Sequence, residues 1–221
     1  CYACCMTKPN VILAAAAAVF AASPLPARPM TAADMHNMHR LGAPEVSRDG
    51  RYAVFTISTT DWSKNKRVNT LHLLDLGRPG SMPQAIAGAE KGHDAIFGPD
   101  GALWFLMPAG DTDQLFRMAI GGKPVQVSSF KGDVGGFLLA PSGDRVVVWA
   151  DRDLRCADLN CVSLPEKAKT GSGRTYDQLF IRHWDTWSDG RVNRLFVLPL
   201  GGKEMAKTAA LVGGDLVAHM P

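Results

Sequence analysis

The segment APEVSRDGRYAVF, residues Ala43 to Phe55, decides how the fold is predicted. It contains a short extended run, a Ser-Arg-Asp-Gly turn, and then the alternation of polar and apolar residues that is typical of a half-buried β-strand. Related segments are DAIFGPDGALWFL, residues Asp94 to Leu106, and GFLLAPSGDRVVVWA, residues Gly136 to Ala150. Each has a glycine at the turn, where the backbone geometry is one that other residues resist. The repetition predicts three copies of one β-unit and not a single hairpin.

Each copy continues with two further strand-like segments in the same order. Third strands are predicted at NTLHLLDL from Asn69, DQLFRMAI from Asp113 and NRLFVLPL from Asn193. Fourth strands are predicted at PQAIAG from Pro83, KPVQVSSF from Lys123 and AKTAALVG from Ala206. The copies recur every ~40 to 50 residues, which is the period of β-propeller blades. We therefore predict an all-β fold, with residues 43–221 forming a partial β-propeller of about three four-stranded blades.

The third copy contains an insertion between Asp151 and Thr175, which holds a cysteine pair and the flexible segment KAKTGSG. The segment that follows, from Tyr176, is predicted to form a hairpin around Ser188-Asp189-Gly190 before the third strand. The alternative is that this segment begins a fourth blade, and we favour three. Propellers close with about four to eight blades. Since three blades cannot close a ring, we expect the sequence to be part of a longer gene product.

The N-terminal residues are predicted to be a targeting segment. Residues 1–5 form an upstream extension before Met6, which we take as the start. Residues 6–22 contain Lys8 and then an apolar run from Val11 to Ala22, followed by small residues and prolines, which is the order of a secretory signal peptide. The run is shorter than the ~20 residues of a membrane-spanning helix. A buried N-terminal helix is the alternative. We expect a periplasmic or secreted protein without a stable membrane anchor.

Residues 23–42 are predicted to be a linker with one short helix. In the segment TAADMHNMHRL, Thr31 is followed three residues later by Asp34, which is the spacing of a capping box. Beyond this segment the helical periodicity almost disappears, as expected for an all-β domain.

Two cysteines remain once the signal peptide is removed, Cys156 and Cys161 in LRCADLNC. An even count in an exported protein suggests a disulfide that closes a small loop, and two reduced cysteines are the alternative. No metal site is predicted, because zinc would need four ligands and no second Cys or His pair has a matching spacing.

Charge and motifs exclude several functions. The net charge of +3 is spread along the chain with no long run of Lys or Arg, so nucleic acid is not expected as a partner. The sequence has no G-x-S-x-G, G-x-G-x-x-G, P-loop or H-E-x-x-H motif. We therefore predict no catalytic residue and no cofactor in this chain.

The most distinctive polar segment is FIRHWDTW, from Phe180 to Trp187. If it forms one strand, Arg182 points to one face, and His183 and Asp185 point to the other. These three residues are candidates for lining a channel or contacting another domain. The alternative, which we favour, is a polar network that holds an inserted hairpin on its blade.

These features together resemble the N-terminal propeller of exported bacterial peptidases of the prolyl oligopeptidase family, in its dipeptidyl aminopeptidase and acylaminoacyl-peptidase branch. The resemblance covers nearly everything from Thr31 onward. It rests on the segment TAADMHNMHRLGAPEVSRDGRYAVF, the repeated turns, CADLNC, and YDQLFIRHWDTW with RLFVLPL. The turns by themselves are shared with periplasmic TolB-like propellers. The chain departs from the common Ser-Pro-Asp-Gly turn at Arg48, Gly98 and Ser142.

The resemblance implies a two-domain serine peptidase, in which a propeller of about seven blades covers a C-terminal α/β-hydrolase domain. The propeller would admit short peptides and exclude folded proteins, and a serine of the hydrolase domain would attack the peptide carbonyl. On this basis the chain is a gating propeller without the catalytic triad, and its partners are short peptide substrates. The alternative, from another class, is a noncatalytic periplasmic TolB-like propeller that binds a protein partner.

Overall fold

The computed structural model describes residues 28–153, 156, 158–161, 182–183, 186–187, 191–200 and 210–211. The upstream extension, the signal peptide, KAKTGSG and Asp185 lie outside the described residues, and what the sequence predicts for them stays a prediction. The chain divides into two compact units, Cys1–Met38 and His39–Pro221.

The described part of the first unit, from Arg28, contains one short helix, α1 (Ala32–Asn37). Its capping box is complete, because Thr31 Oγ1 accepts a hydrogen bond from the Asp34 N–H at 3.2 Å and the Asp34 carboxylate accepts one from the Thr31 N–H at 2.8 Å. Hydrogen bonds from Arg28 and then from Thr31 hold the pKa of Asp34 well below its usual range. The short helix predicted from the sequence is therefore confirmed. Over the described residues, no helix has the length and apolar character needed to cross a membrane.

The first blade is an antiparallel sheet that opens the second unit. Its strands are β1 (Arg40–Leu41), β2 (Glu45–Val46), β3 (Tyr52–Asp61), β4 (Lys66–Asp75) and β5 (Gln84–Ala85). Both β1 and β2 pair with β3, and the order continues through β4 to β5. The first strand of this blade is thus present as two short pieces, because Gly42 to Pro44 interrupt it.

The second and third blades are four-stranded antiparallel sheets. The second contains β6 (His93–Phe97), β7 (Leu103–Ala109), β8 (Thr112–Met118) and β9 (Val125–Gln126). The third contains β10 (Gly136–Leu139), β11 (Arg145–Asp153), β14 (Arg191–Pro199) and β15 (Ala210–Leu211). Because β11 pairs directly with β14, the insertion lies between the second and third strands of this blade. The prediction of three blades, the third with an insertion, is confirmed.

The inserted polar segment forms a hairpin of its own. Strand β12 (Arg182–His183) pairs with β13 (Thr186–Trp187), so that the chain reverses between His183 and Thr186. The prediction of one continuous strand with alternating faces is therefore wrong. The hairpin predicted around Ser188-Asp189-Gly190 lies outside the described residues and stays a prediction. Alternating polar and aromatic residues specify register weakly where no buried face enforces it.

The three turns that suggested the repeat share one geometry. The fourth residue of each turn is a glycine with positive φ: 71° at Gly50, 76° at Gly101 and 72° at Gly143. Each donates its N–H to the carbonyl of the residue three positions earlier, at 2.8, 3.0 and 2.9 Å. The predicted turn unit is thus present in every blade.

The core consists of two layers, one on each side of the second blade. Towards the first blade, Leu103 and Phe105 pack with Val54 and Leu71. Towards the third blade, Leu106 packs with residues that include Val148, Phe137 and Phe196. Because successive side chains of β7 point to opposite faces and both faces are covered, the strand is an almost continuous apolar run in the sequence.

Candidate functional site

A cleft of about 270 Å³ lies where the first strands of the three blades come together. It is lined by Glu45 of β2, by Asp94 to Ile96 of β6 and by Gly136 and Phe137 of β10. The blades of a propeller are arranged radially around a central channel. A cleft bounded by the first strands of three successive blades therefore lies on the side of these blades that faces the propeller axis.

The described residues that line the cleft are mostly apolar. Leu71, Ala95 and Phe137 are buried in the packed core, and Phe55 and Trp149 are half-buried. Phe55 is stacked on its cross-strand partner His72, with 6.5 Å between the ring centroids.

Trp149 occupies its place because β10 begins with glycine. Gly136 is the register partner of Trp149, and a Cβ added to Gly136 would lie 2.2 Å from two indole carbons. The indole therefore lies across the backbone of β10, an approach that any side chain at residue 136 would block.

Asp94 is placed at the cleft by a β-bulge. The pairing of β6 with β7 shifts between His93 and Ile96, so that Asp94 and Ala95 lie opposite the single residue Phe105. Asp94 adopts φ of 50°, in the left-handed region that Asp and Asn tolerate better than other side chains. Bulges of this kind redirect a side chain out of the regular alternation of a strand. The exposed Asp94 carboxylate is thus a lining group of the cleft.

His93 connects Asp94 to the neighbouring strand. Its Nδ1 lies 3.1 Å from Asp94 Oδ2, and its Nε2 lies 3.3 Å from Asp113 Oδ2. The Asp113 N–H in turn donates to Asp133 Oδ1 at 2.9 Å. A neutral imidazole can donate to one of the two carboxylates, and an imidazolium can donate to both.

The described residues that line the cleft include two carboxylates. Glu45 and Asp94 are its two ionisable lining residues, and no Lys or Arg is among the described residues that line it. Within the part of the chain that the structure describes, the Glu45 carboxylate takes part in no hydrogen bond or ion pair. The described lining of the cleft is therefore acidic.

The cysteine pair lies away from this cleft, at the boundary between the second and third blades. Cys156 and Cys161 are joined by a disulfide. Inside the loop that they close, Leu159 is fully buried in the core cluster. The buried Arg152 donates to the carbonyls of Leu159 at 3.3 Å and Asp133 at 2.9 Å. The loop is thus attached to the core by both its apolar side chain and its backbone.

The predicted polar site residues are described in part. Arg182 and His183 lie in β12, which pairs with β13. Asp185 lies outside the described residues. Their assignment to a channel or a domain contact stays a prediction.

The sequence analysis did not identify Glu45 and Asp94 as site residues. Both belong to first strands that were recognised only through their turns. The polar pair His93-Asp94 immediately before the apolar Ala95 and Ile96 was an available signal. A bulge changes which face a residue occupies, however, and alternation in the sequence does not reveal it.

Three similar proteins indicate the class of molecule. Dipeptidyl-peptidase 5 of Arthroderma otae is 27% identical over 176 residues, which are 75% of this chain and 23% of that protein. Dipeptidyl-peptidase 5 of Porphyromonas endodontalis is 24% identical over 197 residues, which are 85% of this chain and 27% of that protein. The solved Pyrococcus horikoshii acylaminoacyl peptidase superposes with a TM-score of 0.57 at 13% identity, covering 78% of this chain and 25% of that one. No protein-family model matches the chain.

The chain thus spans about a quarter of the length of these relatives. The prediction of a propeller region related to peptidases is confirmed by the dipeptidyl-peptidase relatives together with the shared fold. The narrower assignments, to the prolyl oligopeptidase family and to an exported bacterial protein, stay predictions.

Proposed function

We propose that this chain is the substrate-access propeller of a serine peptidase that hydrolyses short peptides, releasing dipeptides or acylated amino acids. The observation that carries the proposal is the cleft at the first strands of three stacked blades, in a chain whose sequence relatives are dipeptidyl peptidases. An access path bounded by strand edges has a width set by the backbone. It would therefore admit an extended peptide and exclude a folded domain.

In this proposal the chain selects and orients the peptide but does not cleave it. The serine nucleophile, its histidine and an acidic residue would belong to an α/β-hydrolase domain later in the same gene product. The 221 residues contain no G-x-S-x-G motif, which supports placing the serine nucleophile in a separate domain. Glu45 and Asp94 would contact the peptide on its way to that domain.

The coding sequence downstream of Pro221 tests the proposal directly. We expect a G-x-S-x-G motif followed by Asp and then His, the chain order of an α/β-hydrolase triad. A stop codon after a few more blades would contradict the peptidase function and favour a noncatalytic propeller that binds a protein partner. A disrupted reading frame would contradict both and indicate a pseudogene remnant.

A second test uses the purified chain of residues 1–221. It is expected to release no chromophore from dipeptidyl or acylaminoacyl substrates. Release that a serine-directed inhibitor abolishes would show that the nucleophile lies within this chain, contrary to the proposal.

A further inference from the structure

The imidazole of His93 lies between two carboxylates of the second blade, one on its own strand and one on β8. Its Nδ1 is 3.1 Å from Asp94 Oδ2, and its Nε2 is 3.3 Å from Asp113 Oδ2. A ring with an acceptor at each nitrogen can donate to both only as an imidazolium. A neutral ring carries a single N–H, so one carboxylate then faces a nitrogen that has no proton. The contacts that the ring can keep therefore depend on its protonation.

The fold holds the two carboxylates to different degrees. The backbone of Asp113 is bonded on both sides, since its N–H donates to Asp133 Oδ1 and its carbonyl accepts from the Val134 N–H, both at 2.9 Å. The Asp113 side chain is 34% exposed, whereas that of Asp94 is 64% exposed and lies in the bulge of β6. Because water solvates the more exposed carboxylate at lower cost, Asp94 is the one expected to separate from a neutral ring.

Further carboxylates lie near these three side chains. Glu45 of β2 lines the same cleft as Asp94. Asp133, in the connection after β9, bonds the Asp113 backbone, and the exposed Asp111 lies two residues before Asp113. Strand β7, the pairing partner of β6, has no titratable side chain, and β3 and β4 present apolar side chains to the second blade. The charged groups that face the histidine on these elements are therefore acidic.

Three cations lie near the same residues. The buried Arg152 donates to the Asp133 backbone carbonyl at 2.9 Å, and Lys91 and Lys131 are exposed. Among the described residues, none of the three forms an ion pair with the carboxylates that His93 contacts. Carboxyl groups ordinarily titrate near about pH 4 and lysine and arginine above about pH 10, whereas histidine changes charge between about pH 5 and 8. An imidazole is thus the group suited to respond to pH near neutrality.

We propose that His93 is a pH-dependent clamp on Asp94. As an imidazolium it holds the Asp94 carboxylate against the second blade, and as a neutral imidazole it keeps Asp113 and releases Asp94 into the cleft. Loss of the ring proton and release of the carboxylate together make the cleft more negative as the solution becomes less acidic. The inference goes beyond the proposed function and does not depend on it, because all three side chains lie in the second blade.

Carboxylate labelling of the 221-residue chain tests the proposal. A carbodiimide with glycine ethyl ester converts accessible carboxylates to amides, and peptide mass spectrometry measures the labelling of Asp94 relative to Asp111, an exposed aspartate outside the clamp. The ratio cancels the effect of pH on the reagent. We expect it to rise about twofold to fivefold between about pH 5.5 and pH 8, as for the loss of one exposed ion pair.

Two substitutions assign this rise to the clamp. His93→Gln removes the titrating ring and should make the labelling ratio independent of pH. Asp113→Asn removes the carboxylate that the neutral ring keeps, so the ring can stay on Asp94 and the rise should fall to about half or less. His72→Gln, at a histidine of β4 in the first blade, is the matched control and should leave the rise unchanged.

A labelling ratio that stays constant with pH in the unmodified chain would overturn the proposal, and this measurement requires no variant to fold. So would a full rise in His93→Gln or in Asp113→Asn, each compared with the unmodified chain by circular dichroism. Loss of the rise in His72→Gln would place the titrating group in the first blade, contrary to the proposal. None of these results bears on whether a hydrolase domain follows, so the downstream coding sequence tests the proposed function separately.

Discussion

At the scale of single residues, the three turns keep one backbone geometry while their side chains differ. In the first two copies an aspartate caps the turn, since Asp49 Oδ1 accepts from the Arg51 N–H and Asp100 Oδ1 accepts from the Ala102 N–H, both at 3.1 Å. In the third copy Ser142 takes this position and donates its hydroxyl to Asp144, two residues later. The glycine is the common element, because only the backbone geometry is shared by all three turns.

One departure from the common Ser-Pro-Asp-Gly turn has a steric reason. Gly98 stands where the first copy has Ser47, and a Cβ at residue 98 would lie 2.6 Å from Trp104 Nε1. The indole of Trp104 therefore occupies the space that a serine side chain would need. Arg48, the departure in the first copy, is exposed and is not constrained in this way.

Gly101→Ala is expected to destabilise the chain by about 1–2 kcal/mol, the cost of a left-handed backbone for a residue with a Cβ. The cost is conformational, because no atom lies within 4 Å of the added Cβ. Gly101→Asn is the matched control and should cost less, since asparagine tolerates this conformation. Urea unfolding of both variants measures the difference, and an equal loss for the two would contradict this explanation.

Asp144 is expected to contribute to stability in a pH-dependent way. Hydrogen bonds from Arg145 and then from Ser142 lower the pKa of Asp144 from 3.8 to about 2. A carboxyl group with a lowered folded-state pKa stabilises the fold above its unfolded-state pKa, and this contribution is lost as the pH falls through the folded-state value. The contribution should therefore be present at pH 5 and disappear between about pH 4 and pH 2.

The measurement is the unfolding temperature of Asp144→Asn and of the unmodified chain across this pH range. The variant should be less stable at pH 5, and the two curves should converge towards pH 2. Asp111→Asn, which alters an exposed aspartate, should leave the curve parallel to that of the unmodified chain. Curves for Asp144→Asn that stay parallel down to pH 2 would show that Asp144 contributes no such linkage.

At the scale of elements, β8 carries a buried polar network that attaches the second blade to the connection leading to the third. Gln114 is 1% exposed. Its Nε2 donates to the carbonyls of Phe130 at 3.0 Å and Gly132 at 3.3 Å, and its Oε1 accepts from the Phe130 N–H and from Ser128 Oγ, both at 2.9 Å. A single side chain thus satisfies the backbone of a connection that forms no strand at these positions, and this connection lies beside Phe130 and Val134 of the core.

Gln114→Ala is expected to reduce the free energy of unfolding by about 2–4 kcal/mol, because buried donors and acceptors of the connection lose their partner. Gln84→Ala, at an exposed glutamine of β5, is the control and should change it by less than about 0.5 kcal/mol. Denaturant unfolding gives both values. A loss for Gln114→Ala no larger than that of the control would contradict the structural role of the network.

At the scale of the whole molecule, the outer faces of the first and third blades leave apolar side chains exposed. Leu41 and Val46 are 70% and 52% exposed on the first blade, and Leu138 and Leu195 are 64% and 47% exposed on the third. Register places Leu41 opposite Ile57 and Leu138 opposite Val147, each on the face that points away from the second blade. The same kind of face is buried wherever two described blades meet, so these faces are suited to pack against further sheets.

The 221-residue chain is expected to self-associate through these faces when it is expressed alone. Leu138→Lys with Leu195→Lys should lower the average mass in light scattering, because two charges interrupt the apolar surface. The charge-matched control introduces lysines at Gln84 and Gln126, which do not lie on the outer faces of the first and third blades. An equal decrease in mass for the control would assign the association to net charge and not to the outer face.

The local features of this fold follow from the sequence because they depend on residues close together in the chain. A glycine that must adopt positive φ, a carboxylate or hydroxyl at the turn, and the 40-to-50-residue period each act over one blade. The order of strands in each blade, the short helix and the place of the insertion could therefore be predicted. The course of FIRHWDTW could not, since its pattern alone sets no register.

Only the tertiary structure decided which side chains meet. Glu45, Asp94 and Trp149 come from three different blades, and they line one cleft because the blades stack with their first strands together. Asp94 reaches it through a bulge, and Gln114 finds its partners in a connection some 16 residues away. Neither contact can be recognised from the local periodicity of the sequence. The sequence alone determined the blades, whereas the stacking of the blades determined the candidate site, because convergence across blades depends on packing between segments distant in the chain.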